Sequence, residues 1–519
     1  ASKLQQSQSK QQVGGILGFI ERIGNKIPDI TILFISAFLL VCVVSAVLAQ
    51  IHFNYVHPAT GRPIEITNML SGKALVDLMS KMVTNYANFP PLSMVIVATL
   101  GIGIADGSGY INTGLKKILS ITPKVLITPV VILVGMLSHL GPDSGYVIII
   151  PIAAYMFYAV GKHPLAGIAA SFAGIAGAFA ANYTPSAIDP VIQGFTQSAA
   201  QIIDPGYQVN VLCNYFYAFA STFIVIGACW WVTEKITNPW LWKACPLDDD
   251  LDLGNENNSS ITPSENRAFK IATAVLLLML TGLAAALYPA DSILRAPDGV
   301  IASFKAPIMQ SIVSLIFIFA ALVGLVYGIA CGKFKSPKDV TAAMEDITKI
   351  LVQLIVFYFF AAQFLYAFGA SNMGALIAVS GAEFLKSLNL PPQVTVFGII
   401  VFVALLNLII TSASAKWAIL APIFVPMLMA VGIAPELTQV AFRVSDSAVN
   451  VVTPMFAFYP LIILYCQKYV KNAGIGTLSS MMLPYTIALL VSLTFMLYLF
   501  WWMDIPLGFQ ADYVYPRRF

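Results

Sequence analysis

Residues 151–164 read PIAAYMFYAVGKHP, and residues 422–435 read PIFVPMLMAVGIAP. Pro151-Ile152, Met156, Ala159-Val160-Gly161 and Pro164 recur as Pro422-Ile423, Met427, Ala430-Val431-Gly432 and Pro435, each 271 residues further on and without a gap. Tyr146 and Trp417 share that offset. Both copies end an apolar stretch, 125–160 and 393–430, that is interrupted at its middle. The interruptions are Ser138-His139-Leu140-Gly141-Pro142-Asp143-Ser144-Gly145 and Thr411-Ser412-Ala413-Ser414-Ala415-Lys416. A bilayer crossing needs about 20 apolar residues, and each arm has only about 15. Arms that short, joined at a breaker, suit a hairpin that enters and leaves the membrane on one side. The competing reading is two short helices with a loop outside, and the repetition favours the hairpin. A second breaker follows in each half, Asn182-Tyr183-Thr184-Pro185 and Asn450-Val451-Val452-Thr453-Pro454.

Composition supports a membrane setting. Of 519 residues 58% are apolar and only 10% are Asp, Glu, Lys or Arg, against about 25% in soluble domains. Too few charges remain to cover a water-soluble surface, to keep a chain disordered or to build a basic nucleic-acid face. The six cysteines show no CxxC or disulfide spacing and read as buried thiols. Four histidines without HExxH or Cys/His clustering give no metal site. No apolar h-region precedes residue 30, so no cleavable leader is expected.

Nine stretches suit crossings: 30–51, 92–109, 165–189, 210–232, 271–288, 307–330, 350–370, 438–465 and 481–503. The expected fold is an all-α polytopic membrane protein with nine transmembrane helices plus two oppositely oriented re-entrant hairpins. Five crossings separate the hairpins, and an odd number turns the second half upside-down. Inverted repeats with paired broken helices mark a secondary transporter with its site at the midplane. The expected organisation is a cytoplasmic segment at 1–29, a first repeat at 30–232 and an acidic cytoplasmic linker at 233–267. A second repeat at 268–503 and a periplasmic tail at 504–519 follow. Lys116, Lys117, Lys124, Lys333, Lys335, Lys338, Lys468 and Lys471 fall on one side, which places the N-terminus in the cytoplasm. Loop 52–90, with Arg62, Lys73 and Lys81, runs against that rule.

Charges at membrane depth cost at least about 2.5–3.5 kcal/mol, so those kept there pair or work. Asp143 lies at the first tip, Asp189 follows the first break, and Lys416 and Trp417 lie at the second tip. Arg443 and Asp446 precede the second break. They sit three residues apart on one helix face and can pair with each other. The functional alternative gives Arg443 to a substrate carboxylate and Asp446 to a proton or Na⁺. For Asp143 and Asp189 the bland alternative is helix capping. His139 reads as a hydrogen-bonded tip residue rather than a proton relay. Ser412 and Ser414 coordinate an ion or bond back to their helix. In the segment Gly101-Ile102-Gly103-Ile104-Ala105-Asp106-Gly107-Ser108-Gly109 the glycines read as close helix packing, because the strand–turn–helix context of a nucleotide loop is missing.

At these residues the chain resembles the AbgT family of p-aminobenzoyl-glutamate transporters. The resemblance rests on Asn85–Leu92, Gly101–Gly109, Leu140–Gly145, Asn182–Asp189, Ser412–Trp417 and Arg443–Pro454, and covers about residues 15–505. Asp106 departs from it, standing where the family pattern has glutamate. The resemblance implies a dimer with scaffold and core, in a bacterial inner membrane. It implies ion-gradient-driven traffic in p-aminobenzoyl-glutamate, p-aminobenzoate and sulfonamide antimetabolites, as an exporter giving resistance in partnership with a tripartite efflux system. It carries functional roles onto Asp189, Ser414, Trp417, Pro435, Arg443, Asp446 and Pro454. In the expected mechanism Arg443 grips the carboxylate bidentately and Trp417 stacks on the ring. Asp446 and Asp189 take the coupling ion, H⁺ or Na⁺, with Asn182, Asn450 and tip-one carbonyls beside them. No cofactor and no firm metal site is expected. An intramembrane enzyme lacks a GxSxG or HExxH signature, and a channel needs no inverted repeat. The alternative within transporters is a Na⁺-coupled di- or tricarboxylate importer of similar hairpin architecture.

Overall fold

The computed structural model describes residues 15–26, 28–140, 145–249, 251 and 260–519. The expectation for Asp143 lies outside the described residues. Among those described, regular structure is helical, and extended pairing is limited to two isolated bridges, Val56 with Pro63 and Ile433 with Val514.

Among the described residues eight helices are long and apolar enough to cross a membrane. One of these, Ala413–Ala430, is a hairpin arm. The other seven are Ile30–Leu48, the run Gly72–Gly107, Tyr215–Ala244, Pro263–Leu287, Ile312–Ala330, Val352–Ala370 and Ile475–Trp502. Polar caps set their starts: the Asp29 carboxylate accepts from the Thr31 N–H at 2.8 Å, and Thr262 caps Pro263–Leu287 ahead of a proline at its first turn. The stretches 165–189 and 438–465, counted as spans, are not continuous. The first divides into Pro164–Phe172, a wide-turn extension Ala173–Gly177, and Ile188–Ala200. The second divides into Pro435–Ala448 and Tyr459–Gln467. With these two broken helices the seven make nine crossings among the described residues. Proline at 185, 190 and 454 removes backbone donors at the breaks, so the helical ladder cannot run through.

The two hairpins are present. Lys124–Leu140 and Gly145–Ala159 form the arms of the first, Pro392–Asn407 and Ala413–Ala430 those of the second. The second folds back antiparallel: Asn407 meets Lys416 at the tip, and the Phe402 and Phe424 rings meet further down at 5.7 Å. Each hairpin is introduced by an amphipathic helix, Tyr110–Ser120 or Met373–Ser387, and both pairs bend by 119°. Equal bends at equivalent places are the repeat in three dimensions. Five crossings separate the hairpins, so the second half is inverted.

Two boundaries and one burial reading differ from the sequence analysis. Loop 52–90 contains the helix Gly72–Ala87, capped by Ser71. The helix ending the first repeat runs on to Ala244 through a wide turn at Thr233–Thr237, where Glu234 bonds Thr128 at 2.7 Å and pairs with Lys162. The six cysteines are unpaired, but Cys245 and Cys331 are only half-buried.

The glycines of 101–107 let two backbones touch. A Cβ on Gly101 would lie 2.6 Å from the Phe317 backbone, and one on Gly324 would lie 2.5 Å from the Ala105 nitrogen. This is small-residue helix packing as read from sequence. Gly324→Leu must force these helices apart, and overpacking costs about 1–3 kcal/mol or more. The expected result is a lower thermal midpoint in detergent, with substrate affinity of the surviving folded fraction unchanged.

The C-terminal tail straps the end of hairpin two. The Ala434 N–H donates to the Tyr513 carbonyl at 3.1 Å and the Tyr515 N–H to the Gly432 carbonyl at 2.9 Å. Arg517 pairs with Glu436, a fully buried carboxylate that also accepts from the Tyr207 hydroxyl at 2.9 Å. Removing one partner of a buried pair costs about 3–5 kcal/mol. Arg517→Ala should therefore lower the unfolding midpoint markedly, while Arg517→Ala with Glu436→Gln recovers most of the loss.

Candidate functional site

The breaks and the tips meet inside the protein, and they meet the same way in both halves. His139, at the end of the first arm of hairpin one, contacts the Asn182 side chain through Nδ1 at 2.9 Å and the Ile175 carbonyl through Nε2 at 2.6 Å. Asn407, 268 residues later and at the end of the equivalent arm, donates to the Asn450 side chain at 3.0 Å and to the Asp446 carbonyl. Each pair of contacts ties a hairpin tip to the broken helix behind it. In physical terms, an arm-end side chain satisfies a carbonyl freed where the helix stops, which hydrocarbon cannot do. Aromatic supports also repeat: Tyr146 stacks on Phe458 at 4.0 Å, and Trp417 stacks on Phe442 at 4.5 Å.

The charges break this symmetry. Arg443 donates to Asp189 at 2.8 Å, joining the broken helix of one half to that of the other. Lys416 pairs with Asp446 and also donates to the side-chain amide oxygen of Asn407. Of the two readings of Arg443 and Asp446, the bland one, a pair with each other, is not what forms: both find partners on other elements. Neighbours on one helix face are close, but a partner reaching in from a facing element removes more of each charge from contact with hydrocarbon. Asp189 fills the capping role as well, since its second oxygen accepts from the Ser186 N–H at 2.8 Å.

Around the Arg443–Asp189 pair, buried polar atoms are left over. Asn182 Nδ2, Ser186 Oγ and both side-chain polar atoms of Asn214 have no partner among the described residues. An unmade hydrogen bond on a buried group costs about 1–3 kcal/mol, so such a cluster marks a place completed by something that comes and goes. Asn182, Thr184, Asp189, Asn214, Tyr215 and Arg443 line one recess there. On its other side Arg443 shares a second recess with Asp446, Phe179 and Phe442. The first recess adjoins an apolar cavity of about 580 Å³, the two sharing Thr184 and Leu212. Leu140 beside the first tip and Pro185 of the first break face that cavity, opposite Leu276 and Val323.

The remaining sequence candidates fall as follows. Asn450 joins the Asn407 contact. Ser414 is buried on the second arm, and Ser412 caps that arm by accepting from the Ala415 N–H at 3.4 Å. Pro435 opens the helix carrying Arg443, and Pro454 lies in the second break. Trp417 is fully buried, with one ring face against Phe442 and its indole N–H donating to Thr196 at 2.8 Å. In this arrangement it braces tip two against the broken helices. Sequence reasoning missed Asn214 and Asn407. Asn407 had a signal, as the lone amide in the apolar run VFVALLNLII, at the tip end of the first arm.

Two hairpins and two broken helices, related by inversion and closing on two buried ion pairs, define a secondary transporter. The family follows from comparison. A family model described as the AbgT putative transporter family matches residues 15–515, and the chain belongs to that family. The p-aminobenzoyl-glutamate transport protein of Escherichia coli is 32% identical over 511 residues, covering 98% of each chain. Two solved structures share the fold with a TM-score of 0.87 each. The YdaH transporter of Alcanivorax borkumensis is 37% identical and covers 93% of this chain and 100% of its own. MtrF of Neisseria gonorrhoeae, described as illuminating a class of antimetabolite efflux pumps, is 39% identical and covers 93% of this chain and 97% of its own. These relatives are transporters, and the protein is a transporter rather than an enzyme.

Proposed function

We propose that this protein is an ion-gradient-coupled carrier of p-aminobenzoyl-glutamate and p-aminobenzoate-type aromatic carboxylates and of sulfonamide antimetabolites, working chiefly as an exporter. The observation that carries the reading is the Arg443–Asp189 pair among unpartnered amides, beside a roomy apolar cavity. A guanidinium suits a carboxylate bidentately; the Asn182 and Asn214 amides supply further donors and acceptors; the apolar cavity accepts an aromatic ring. Arriving substrate competes with Asp189 for Arg443, which frees Asp189 for the coupling ion, H⁺ or Na⁺. That exchange links substrate to ion without a separate relay. Asp446, Ser414, Asn450, Pro435 and Pro454 hold the second hairpin and the second break in register, and Trp417 stacks on substrate only if Phe442 moves aside. The hairpins and broken helices travel together against a scaffold drawn from 30–109 and 268–370. Export is favoured by the description of the Neisseria relative, and substrate class by that of the Escherichia coli one. The setting is a bacterial inner membrane, with the N-terminus in the cytoplasm, the chain paired as a homodimer and its export handed to a tripartite efflux system.

The test is uptake of labelled p-aminobenzoate into proteoliposomes with imposed pH or Na⁺ gradients. Unlabelled sulfonamide should compete and succinate or citrate should not. Competition by succinate alone would favour the di- or tricarboxylate importer, a reading the apolar lining of the cavity speaks against.

A further inference from the structure

The two halves hold the same frame around unlike contents. In the first, His139, the Ile175 carbonyl and Asn182 are joined, and Gly145 packs against Ile175, where a Cβ would come within 2.9 Å of the Ile175 side chain. In the second, Asn407, the Asp446 carbonyl and Asn450 are joined, and the residues 271 positions beyond Gly145 and Ile175 are Lys416 and Asp446. An apolar contact in one half is an ion pair in the other. The Lys416 ammonium is fully buried. It is held by an Asp446 carboxylate oxygen and the Asn407 amide oxygen, with Phe442 5.9 Å away and the Asn450 oxygen bound to the same Asn407 amide. Carboxylate and amide oxygens beside an unwound helix end are the ligand set of a hard monovalent cation in a transporter.

We propose that Lys416 is a tethered cation: its ammonium fills, in the second half, the place that a bound Na⁺ would otherwise take. The second centre is thereby closed to external cations, and the coupling ion is confined to the centre formed by Asp189, Asn182 and His139. Lys416 is then a residue that sets ion specificity by occupying a site. The inference rests on the ion-coupled reading above, and its test needs neither substrate nor transport.

The experiment is thermal unfolding of the purified full-length protein in detergent, in NaCl against choline chloride at equal ionic strength. Lys416→Ser opens the centre and should gain a Na⁺-specific rise in midpoint of several degrees beyond any response of the wild type. Lys416→Arg, which keeps a tethered cation, should gain none, and Lys416→Ser with Asp446→Asn should lose the gain. If Lys416→Ser does not fold, Lys416→Gln carries the same measurement. The proposal is overturned if the opened centre shows no added Na⁺ response, if that response survives Asp446→Asn, or if a wild-type response disappears in Asp446→Asn. In proteoliposomes the opened variant should move substrate at least about tenfold faster with Na⁺ than with choline. If p-aminobenzoate is not moved by any form while the thermal pattern holds, the substrate reading fails and the tethered cation stands.

Discussion

Arg443→Ala is expected to abolish measurable transport, lowering the initial rate by roughly 100-fold or more, while most of the protein still reaches the membrane. The argument is electrostatic. Arg443 is the guanidinium in the recess with Asn182 and Asn214, and its partner Asp189 comes from the opposite half. Removing one member of a buried pair costs about 3–5 kcal/mol, and every 1.4 kcal/mol is roughly a factor of ten in binding. Substrate loses its carboxylate partner and Asp189 loses its cation, so affinity and coupling fall together. Arg443→Lys keeps the charge but not the planar fork, and should recover only part of the rate. Asp189→Asn leaves Arg443 free for the carboxylate. It should therefore bind labelled p-aminobenzoate at equilibrium about as well as the parent or better, yet fail to accumulate it against a gradient. Equal gradient-driven rates in Arg443→Ala and the parent would end the site assignment.

The second large effect concerns Lys416 and Asp446. Asp446→Asn strands a fully buried ammonium. The expected outcome is a lowered unfolding midpoint and loss of accumulation by about two orders of magnitude. Lys416→Met with Asp446→Leu replaces the pair by apolar groups of similar size. Such replacements are often neutral or stabilising, so the midpoint should return to that of the parent. Transport should not return, because the second tip is then tied to its broken helix only through Asn407. Recovery of both properties in the double variant would show that the pair serves stability alone.

How much of this was legible in the chain varies by element. The hairpins were, because proline, glycine and small polar residues halt an apolar run where no soluble loop would, and they do so twice at one spacing. The broken helices were legible as breakers inside apolar runs, but their ends were not: the first continues past residue 189 to Ala200, and the second begins at Pro435 and ends at Gln467. Trp417 was legible as a residue at the second tip, but its contacts were not. Its sequence neighbours say nothing of Phe442 and Thr196, which arrive from other elements. The helix at Gly72–Ala87 went unread because its apolar residues are interleaved with Lys73, Asp77 and Lys81.

The linear order of residues was enough to determine a membrane protein, an inverted repeat and the short roll of ionisable groups kept at depth, since periodicity and composition are properties of the chain itself. Which charge meets which was decided only in the folded molecule. Arg443 and Asp446 lie three positions apart and look like a pair. Packing instead delivers Asp189 from 254 residues away to one and Lys416 to the other. Coulomb attraction in a low-dielectric interior is governed by distance through space, and that distance is fixed by how the two halves interlock.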